Sequence, residues 1–108
     1  LFIDPDFKMI ECARDCGVDR IELYTGKYAK NYLDNKDTSA FEYIKASEYA
    51  ISNGLQVNAG HDLDLNNLKF LKDSLSNLFE VSIGHALISD ALYYGLEKTI
   101  KMYLNELK

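Results

Sequence analysis

Segments with an apolar residue at every second position alternate along this chain with segments in which apolar residues recur every three or four positions. The first pattern, typical of β-strands, covers residues 20–24, 55–59 and 79–83, and residues 1–4 resemble the end of another strand. The second pattern, typical of amphipathic helices, follows each strand. Because neighbouring parallel strands need a crossover that a helix supplies, this order predicts an α/β fold with a parallel sheet.

The sequence also marks where helices begin and end. A capping box formed by Ser39 and Glu42 predicts the start of the second helix, after a polar loop at residues 27–37, and Gly54 predicts its end. The predicted buried stripe of that helix is Phe41, Ile44, Ser47 and Ile51. A helix from about Asp64, a short helix at residues 86–92 and a final amphipathic helix complete the chain.

Two cysteines lie on the first predicted helix, which stops at Gly17. Cys12 and Cys16 match neither the C-x-x-C redox pattern nor a zinc-ligand pair with partners elsewhere. Since free cysteines are among the residues most often buried, we expect both to be reduced core residues without a chemical role.

The strands predict a sheet with one apolar and one polar face. The alternate strand positions expected on one face are apolar: Ile21, Leu23, Leu55, Val57, Ala59, Val81 and Ile83. The positions expected on the other face are mostly polar: Glu22, Tyr24, Gln56, Asn58, Glu80 and Ser82. In a closed barrel the polar side chains point into the lumen. In an open doubly wound sheet a helix would cover the polar face and leave buried unpaired groups, which cost roughly 1–3 kcal/mol each. We therefore predict a TIM-type (β/α)8 barrel, of which this chain, a single domain of residues 1–108, supplies about the C-terminal half. Such a half leaves two sheet edges open, so we expect it to belong to a longer protein or to pair with another half.

Both histidines follow a glycine at the end of a predicted strand. Gly60-His61 and Gly84-His85 are one strand-helix unit apart, so their loops are expected at the same end of neighbouring strands. Glycine lets the backbone approach a ligand, and a helix start offers unpaired N–H groups to an anion. We predict that Gly84 and His85 hold a phosphate, that Gly60 contributes to substrate binding, and that His61 transfers a proton.

Two side chains on the polar face leave two interpretations open. Glu22 and Asn58 either contact substrate or form a hydrogen-bonded polar layer inside the barrel. No metal site is predicted, because H-E-x-x-H or a comparable ligand spacing is missing from the sequence.

Charge and composition narrow the range of partners. The net charge is -5 and the basic residues are scattered, which predicts that the protein has no nucleic-acid partner. Because the overall charge repels a phosphate, backbone N–H groups and one or two side chains at the site would have to bind it. The sequence has no apolar run of about 20 residues and no leader, so we expect a cytoplasmic protein without a membrane partner.

Four sequence blocks together resemble the C-terminal half of the pyridoxine 5'-phosphate synthase family. They are L-F-I-D, R-I-E-L-Y-T-G-K-Y-A, L-Q-V-N-A-G-H-D-L and V-S-I-G-H-A-L-I, which begin at positions 1, 20, 55 and 81. The resemblance implies a barrel with extra helices that forms a homo-oligomer, usually an octamer. It implies condensation of 3-amino-2-oxopropyl phosphate with 1-deoxy-D-xylulose 5-phosphate, release of phosphate and water, and no cofactor.

The resemblance also assigns residues. It implies that His61 is the proton donor and that Asp62, Gly84 and His85 bind the amino ketone phosphate. Asp62 stands where the family commonly has glycine, so its carboxylate is expected to turn away from the phosphate while its backbone N–H binds. Tyr24 stands where a histidine is expected.

Other interpretations remain compatible with the residues alone. They are a different phosphate-binding barrel enzyme, such as a sugar-phosphate isomerase or aldolase, and a non-catalytic phosphate-binding half barrel. The family's remaining acid-base residues, a histidine and a glutamate, lie on earlier strands, so we expect the isolated chain to be inactive.

Overall fold

The computed structural model describes residues 1–75 and 77–108 as four strands and seven helices. The strands are β1 (Phe2–Ile3), β2 (Arg20–Tyr24), β3 (Gln56–Gly60) and β4 (Leu78–Ser82). The helices are α1 (Phe7–Asp15), α2 (Gly26–Tyr32), α3 (Lys36–Ser39), α4 (Phe41–Ser52), α5 (Leu68–Ser74), α6 (His85–Tyr94) and α7 (Leu96–Glu106). None of the helices in this part of the chain combines the length and apolarity needed to span a bilayer.

The four strands form one parallel sheet in the order β1-β2-β3-β4, so each strand pairs with the one before it in the chain. The predicted α/β fold with a parallel sheet is confirmed, and sequential order is also what half of a (β/α)8 barrel requires. The register places Asn58 between Glu22 and Glu80, and Gly60 beside Ser82. The carboxyl ends of β2, β3 and β4 therefore meet at one edge.

One face of the sheet is apolar and buried, as the alternation predicts. Ile21, Leu23, Val57 and Ala59 have no exposed surface, and they belong to a core that includes Ile10 of α1. On the opposite face, Glu22 is half-buried and the polar residues Gln56, Glu80 and Ser82 are exposed. Asn58 is the exception on this face, because its side chain is buried among its neighbours.

The prediction of a polar loop at residues 27–37 is wrong, because the chain forms α2 there and starts α3 at Lys36. The reason is tertiary: the ring of Tyr28 is fully buried and its hydroxyl donates a hydrogen bond to the carbonyl of Asn67. A short helix with a polar sequence is thus held by one anchored aromatic side chain, which local periodicity does not reveal.

The predicted capping box is also wrong. Ser39 ends α3, and its hydroxyl donates to the carbonyl of Lys36 at 2.6 Å instead of capping α4. The buried face of α4 consists of Tyr43, Ala46, Ser47 and Ala50, and Phe41 is 55% exposed. Of the predicted stripe, Ser47 is buried and Ile44 and Ile51 are half-buried against the core, so the prediction is wrong only for Phe41. The predicted end of the helix at Asn53-Gly54 is confirmed.

Both cysteines lie on the outside of the described structure. Cys12 and Cys16 are free and exposed, so the expectation of core cysteines is wrong. Helix α1 turns Ile10 and Ala13 toward the core, and this rotation moves both sulfur atoms to the surface.

Candidate functional site

Both imidazoles lie at the carboxyl-terminal edge of the sheet, as the strand-helix spacing predicts. His61 follows β3 directly, and His85 is the first residue of α6, separated from the end of β4 by Ile83 and Gly84. Nδ1 of His61 is 3.0 Å from Oδ2 of Asp62, and Nε2 of His85 is 3.8 Å from Oδ1 of the same carboxylate. We call this group of His61, Asp62 and His85 the histidine rim.

The position of Asp62 departs from the expectation that its carboxylate turns away from the ligand site. The side chain lies between the two imidazoles, with one oxygen directed at each of them. An anionic group between two bases that can become cationic is electrostatically favourable, whereas the same carboxylate would repel a phosphate placed beside it. The site therefore already contains one negative charge.

The loop that carries the rim is held in an unusual backbone conformation. His61 and Asp62 have φ values of 108° and 57°, a region that non-glycine residues rarely occupy. The carbonyl of His61 accepts a hydrogen bond from Oγ1 of the buried Thr25 at 2.6 Å. The carbonyl of Asp62 accepts one from Nδ2 of Asn67 at 3.2 Å. Contacts with two separate segments thus fix the direction of this loop.

Tyr24 packs against the imidazole of His61 from the end of β2. The ring centroids are 4.4 Å apart with an interplanar angle of 42°. The tyrosine ring also lies over Gly26, where an added Cβ would be 2.7 Å from ring atoms. At the position where the resemblance leads us to expect a histidine, this chain therefore has an aromatic wall for the rim.

Two hydrogen-bonded side chains lie on the polar face of the sheet, next to the histidine rim. Oγ of Ser82 donates to Oε1 of Glu22 at 3.0 Å, which links β2 to β4 across β3. Gly60 makes room for this pair, because a Cβ there would lie 2.6 Å from Oε2 of Glu22. Sequence reasoning missed Ser82 as a site residue, although its parity with Glu22 on the polar face was visible.

Asn58 and Gly84 differ in how far their surroundings constrain them. Asn58 is 7% exposed, and its Oδ1 has no hydrogen-bond partner within residues 1–75 and 77–108. It is therefore an acceptor on the polar face that a ligand or another segment could satisfy. A Cβ at Gly84 would meet no atom within 4 Å, so the structure gives no steric reason for glycine there.

Helix α6 presents its amino terminus at the rim. The carbonyl of Gly84 accepts hydrogen bonds from the N–H groups of Leu87 and Ile88, at 3.1 and 3.3 Å. The earlier N–H groups of a helix have no acceptor within it, so those of His85 and Ala86 are available to an anion. Sequence reasoning placed His85 in a loop before the helix, whereas it occupies the first helical turn.

An open groove adjoins the rim on the side of α2. It has a volume of about 380 Å³, and its lining includes Lys30, Asp62, Asn67 and His85. Such a volume is large enough for a small molecule, and Lys30 adds a positive charge to the lining. In the described part of the chain, groups of three or more His, Cys, Asp or Glu arranged to hold a metal ion are absent.

Two buried tyrosines support the rim from behind. The hydroxyl of Tyr43 donates to the carbonyl of Tyr24 at 2.7 Å, and burial raises the pKa of Tyr43 to about 12. Burial also raises the pKa of Tyr28, whose hydroxyl holds the turn that contains Asn67. Both side chains stay neutral at physiological pH and act as hydrogen-bond donors to the backbone.

Comparison with known proteins identifies the family. The sequence profile described as pyridoxal phosphate biosynthesis protein PdxJ matches residues 1–108. A pyridoxine 5'-phosphate synthase of Cytophaga hutchinsonii is 57% identical over 108 residues, which are all of this chain and 45% of that protein. Proteins of the same name from Flavobacterium johnsoniae and Porphyromonas gingivalis are 53% and 52% identical, over 100% and 99% of this chain and 46% and 45% of their own lengths.

The chain thus spans somewhat less than half the length of the curated relatives it matches. The match begins at the first strand and ends beyond the last helix, so it includes the histidine rim, the Glu22–Ser82 pair and the amino terminus of α6. The chain therefore belongs to the PdxJ family of pyridoxal phosphate biosynthesis proteins.

Proposed function

We propose that this chain is the C-terminal half of a (β/α)8 barrel that acts as a pyridoxine 5'-phosphate synthase. The reaction would condense 3-amino-2-oxopropyl phosphate with 1-deoxy-D-xylulose 5-phosphate and release phosphate and water, without an organic cofactor. The observation that carries the proposal is the histidine rim, where both histidines of the chain share one carboxylate at the carboxyl ends of β3 and β4. This is the edge at which barrel enzymes hold their active sites.

In this proposal His61 is the proton donor. Imine formation, phosphate loss and ring closure each move protons on and off oxygen or nitrogen, and an imidazole exchanges protons near neutral pH. The ring of Tyr24 and the carboxylate of Asp62 hold the imidazole of His61 on two sides, which favours one orientation for repeated proton transfers.

The amino terminus of α6 would bind the phosphate of the amino ketone substrate. Its available N–H groups, the side chain of His85 and the open surface at Gly84 support this role. The backbone N–H of Asp62 would add a contact. Since the Asp62 carboxylate opposes an incoming phosphate, binding would draw on the side chain of His85 and on the positive charge of Lys30 in the adjoining groove.

The inner face would complete the site once the barrel is closed. Glu22, held by Ser82 and given room by Gly60, and the unpaired acceptor of Asn58 would then line the lumen. We assign these groups to substrate contacts. The remaining acid-base residues would come from the other half, and we propose a cytoplasmic homo-oligomer, an octamer, whose partners are phosphorylated small molecules and not nucleic acid or membrane.

Replacement of His61 in the complete protein tests this function. We expect His61→Gln to lower kcat by about 10²- to 10⁴-fold, the usual contribution of a positioned general acid, while binding of the amino ketone phosphate is kept. His85→Gln should instead raise KM for that substrate. Cys12→Ser, at an exposed position of α1, is the control for handling and expression. Unchanged turnover in His61→Gln would reject the proton-donor role and favour a phosphate-binding half barrel without this chemistry.

A further inference from the structure

We propose that Asp62 is a positioning residue for His61. Its carboxylate accepts a hydrogen bond from the Nδ1–H group of the imidazole and thereby holds the tautomer in which Nε2 is free to exchange protons with substrate. The consequence for turnover rests on the proposed function, in which His61 transfers the proton. The tautomer itself does not depend on that role.

The geometry supports a hydrogen bond on one side of the carboxylate and only an ion pair on the other. The His61 Nδ1 to Asp62 Oδ2 distance of 3.0 Å is that of a normal hydrogen bond. The His85 Nε2 to Asp62 Oδ1 distance of 3.8 Å is too long for one, although it permits charge attraction when His85 is protonated. The carboxylate therefore sets the tautomer of His61 and not that of His85.

Packing and a fixed backbone hold the imidazole beside the carboxylate, while about half of the His61 side chain, 49%, faces solvent. The ring of Tyr24 packs at 4.4 Å, and the carbonyls of His61 and Asp62 are both held by hydrogen bonds from other segments. With the loop backbone fixed, rotation of either side chain would break the 3.0 Å contact without an evident replacement among the described residues. In a neutral imidazole, the hydrogen bond made by one nitrogen decides which nitrogen carries the proton.

The same contact would support the charged state that precedes donation. A protonated His61 carries hydrogen on both nitrogens, and the adjacent carboxylate stabilises that charge. During donation the proton on Nε2 moves to an oxygen or nitrogen of the substrate, and the proton on Nδ1 remains in the bond to Asp62. The ring thus returns to the tautomer that can accept a proton again at Nε2.

The backbone of Asp62 makes a clean test possible. At a φ of 57°, glycine and asparagine are the residues that fit with least strain. Asp62→Asn replaces one carboxylate oxygen by an NH2 group, which can turn to the imidazole and donate to Nδ1, whereas Asp62→Gly removes the acceptor altogether. Asp73→Asn, which removes one exposed carboxylate from α5, controls for a change in surface charge.

The experiment combines kinetics with nitrogen NMR on the complete protein. Long-range ¹H–¹⁵N spectra of histidine-labelled protein, assigned by comparison with His61→Gln, report which ring nitrogen of His61 carries hydrogen. We expect the Nδ1–H form in the native protein and in Asp73→Asn, a shift toward the Nε2–H form in Asp62→Asn, and loss of the Nδ1–H preference in Asp62→Gly. We also expect kcat to fall by about tenfold in Asp62→Gly, the effect of one ordinary hydrogen bond on a rate, and by at least as much in Asp62→Asn, where the amide favours the wrong tautomer.

Two results would overturn the proposal. One is an Nε2–H tautomer at His61 in the native protein, and the other is the same tautomer and kcat in the native protein and in Asp62→Gly. Failure of the proposed function would look different, because His61→Gln would then keep its turnover while the Nδ1–H preference still disappeared in Asp62→Gly.

Discussion

The hydroxyl of Thr25 offers a direct test of how the fold fixes the histidine rim. Thr25 has no exposed surface, and its Oγ1 donates to the carbonyl of His61 at 2.6 Å. Thr25→Val keeps the branched shape and removes the donor. A net hydrogen bond contributes about 0.5–1.5 kcal/mol, and an acceptor left without a partner raises the cost, so we expect a loss of about 1–2 kcal/mol.

Thermal unfolding of the complete protein measures this loss. For a protein of this size class, 1–2 kcal/mol corresponds to a melting temperature that is lower by about 2–8 °C. Because the released carbonyl belongs to His61, we expect kcat to fall as well, while the amount of folded protein at the assay temperature stays the same. Thr25→Ser is the matched control, since it keeps the hydroxyl and should retain both the stability and the turnover of the native protein more closely.

The reasoning is refuted if Thr25→Val melts and turns over like the native protein. It is also refuted if Thr25→Ser, which keeps the hydroxyl, loses as much stability and turnover as Thr25→Val, because keeping the donor to His61 would then make no difference.

Three further substitutions test other parts of the structure in the complete protein. Gly60→Ala places a Cβ 2.6 Å from Oε2 of Glu22, so it should displace that carboxylate from Ser82. Adding Ser82→Ala to this variant should then cost almost no further stability, which a double-mutant cycle of urea unfolding measures. The pKa of Tyr43 is about 12 in the folded chain and about 10 when unfolded, so between these pH values the unfolded chain binds fewer protons. Stability should therefore fall as pH rises from 10 to 12, by up to about 1.4 kcal/mol per pH unit, and Tyr43→Phe should flatten this slope in urea titrations. Leu23→Ala in the fully buried centre of β2 should cost about 2–5 kcal/mol in thermal unfolding.

Each of these expectations can fail in a definite way. Additive effects of Gly60→Ala and Ser82→Ala would mean that the two sites do not share the Glu22 contact. An unchanged alkaline slope in Tyr43→Phe would remove that hydroxyl from the pH dependence. A loss below 1 kcal/mol in Leu23→Ala would mean that the apolar face of the sheet is not closely packed there.

The strands and the location of the rim could be predicted because they depend on local pattern and on topology. Alternation along Arg20–Tyr24 gives the bounds of β2 and its buried positions directly. The two Gly-His pairs follow neighbouring parallel strands, and the carboxyl ends of such strands meet at one edge whatever the loops do. These inferences need no knowledge of distant contacts.

The errors concern features that only distant contacts decide. Helix α2 depends on the burial of Tyr28 and its bond to Asn67, a residue 39 positions away. The position of the Asp62 carboxylate depends on two consecutive non-glycine residues with positive φ, a conformation that sequence pattern does not predict. The Glu22–Ser82 pair joins residues 60 positions apart, and it forms because Gly60 leaves the space between them.

The backbone at His61 has a consequence for every mutational study of this site. A histidine held at a φ of 108° costs of order 1–3 kcal/mol, which the rest of the protein must offset. Any side chain with a Cβ inherits that penalty, and glycine alone escapes it. His61→Gly loses the contacts with Tyr24 and Asp62, so the released backbone strain should offset part of that loss and make this variant less destabilised than its lost contacts suggest. The residue to which we assign proton transfer thus lowers the stability of the folded protein through its own backbone.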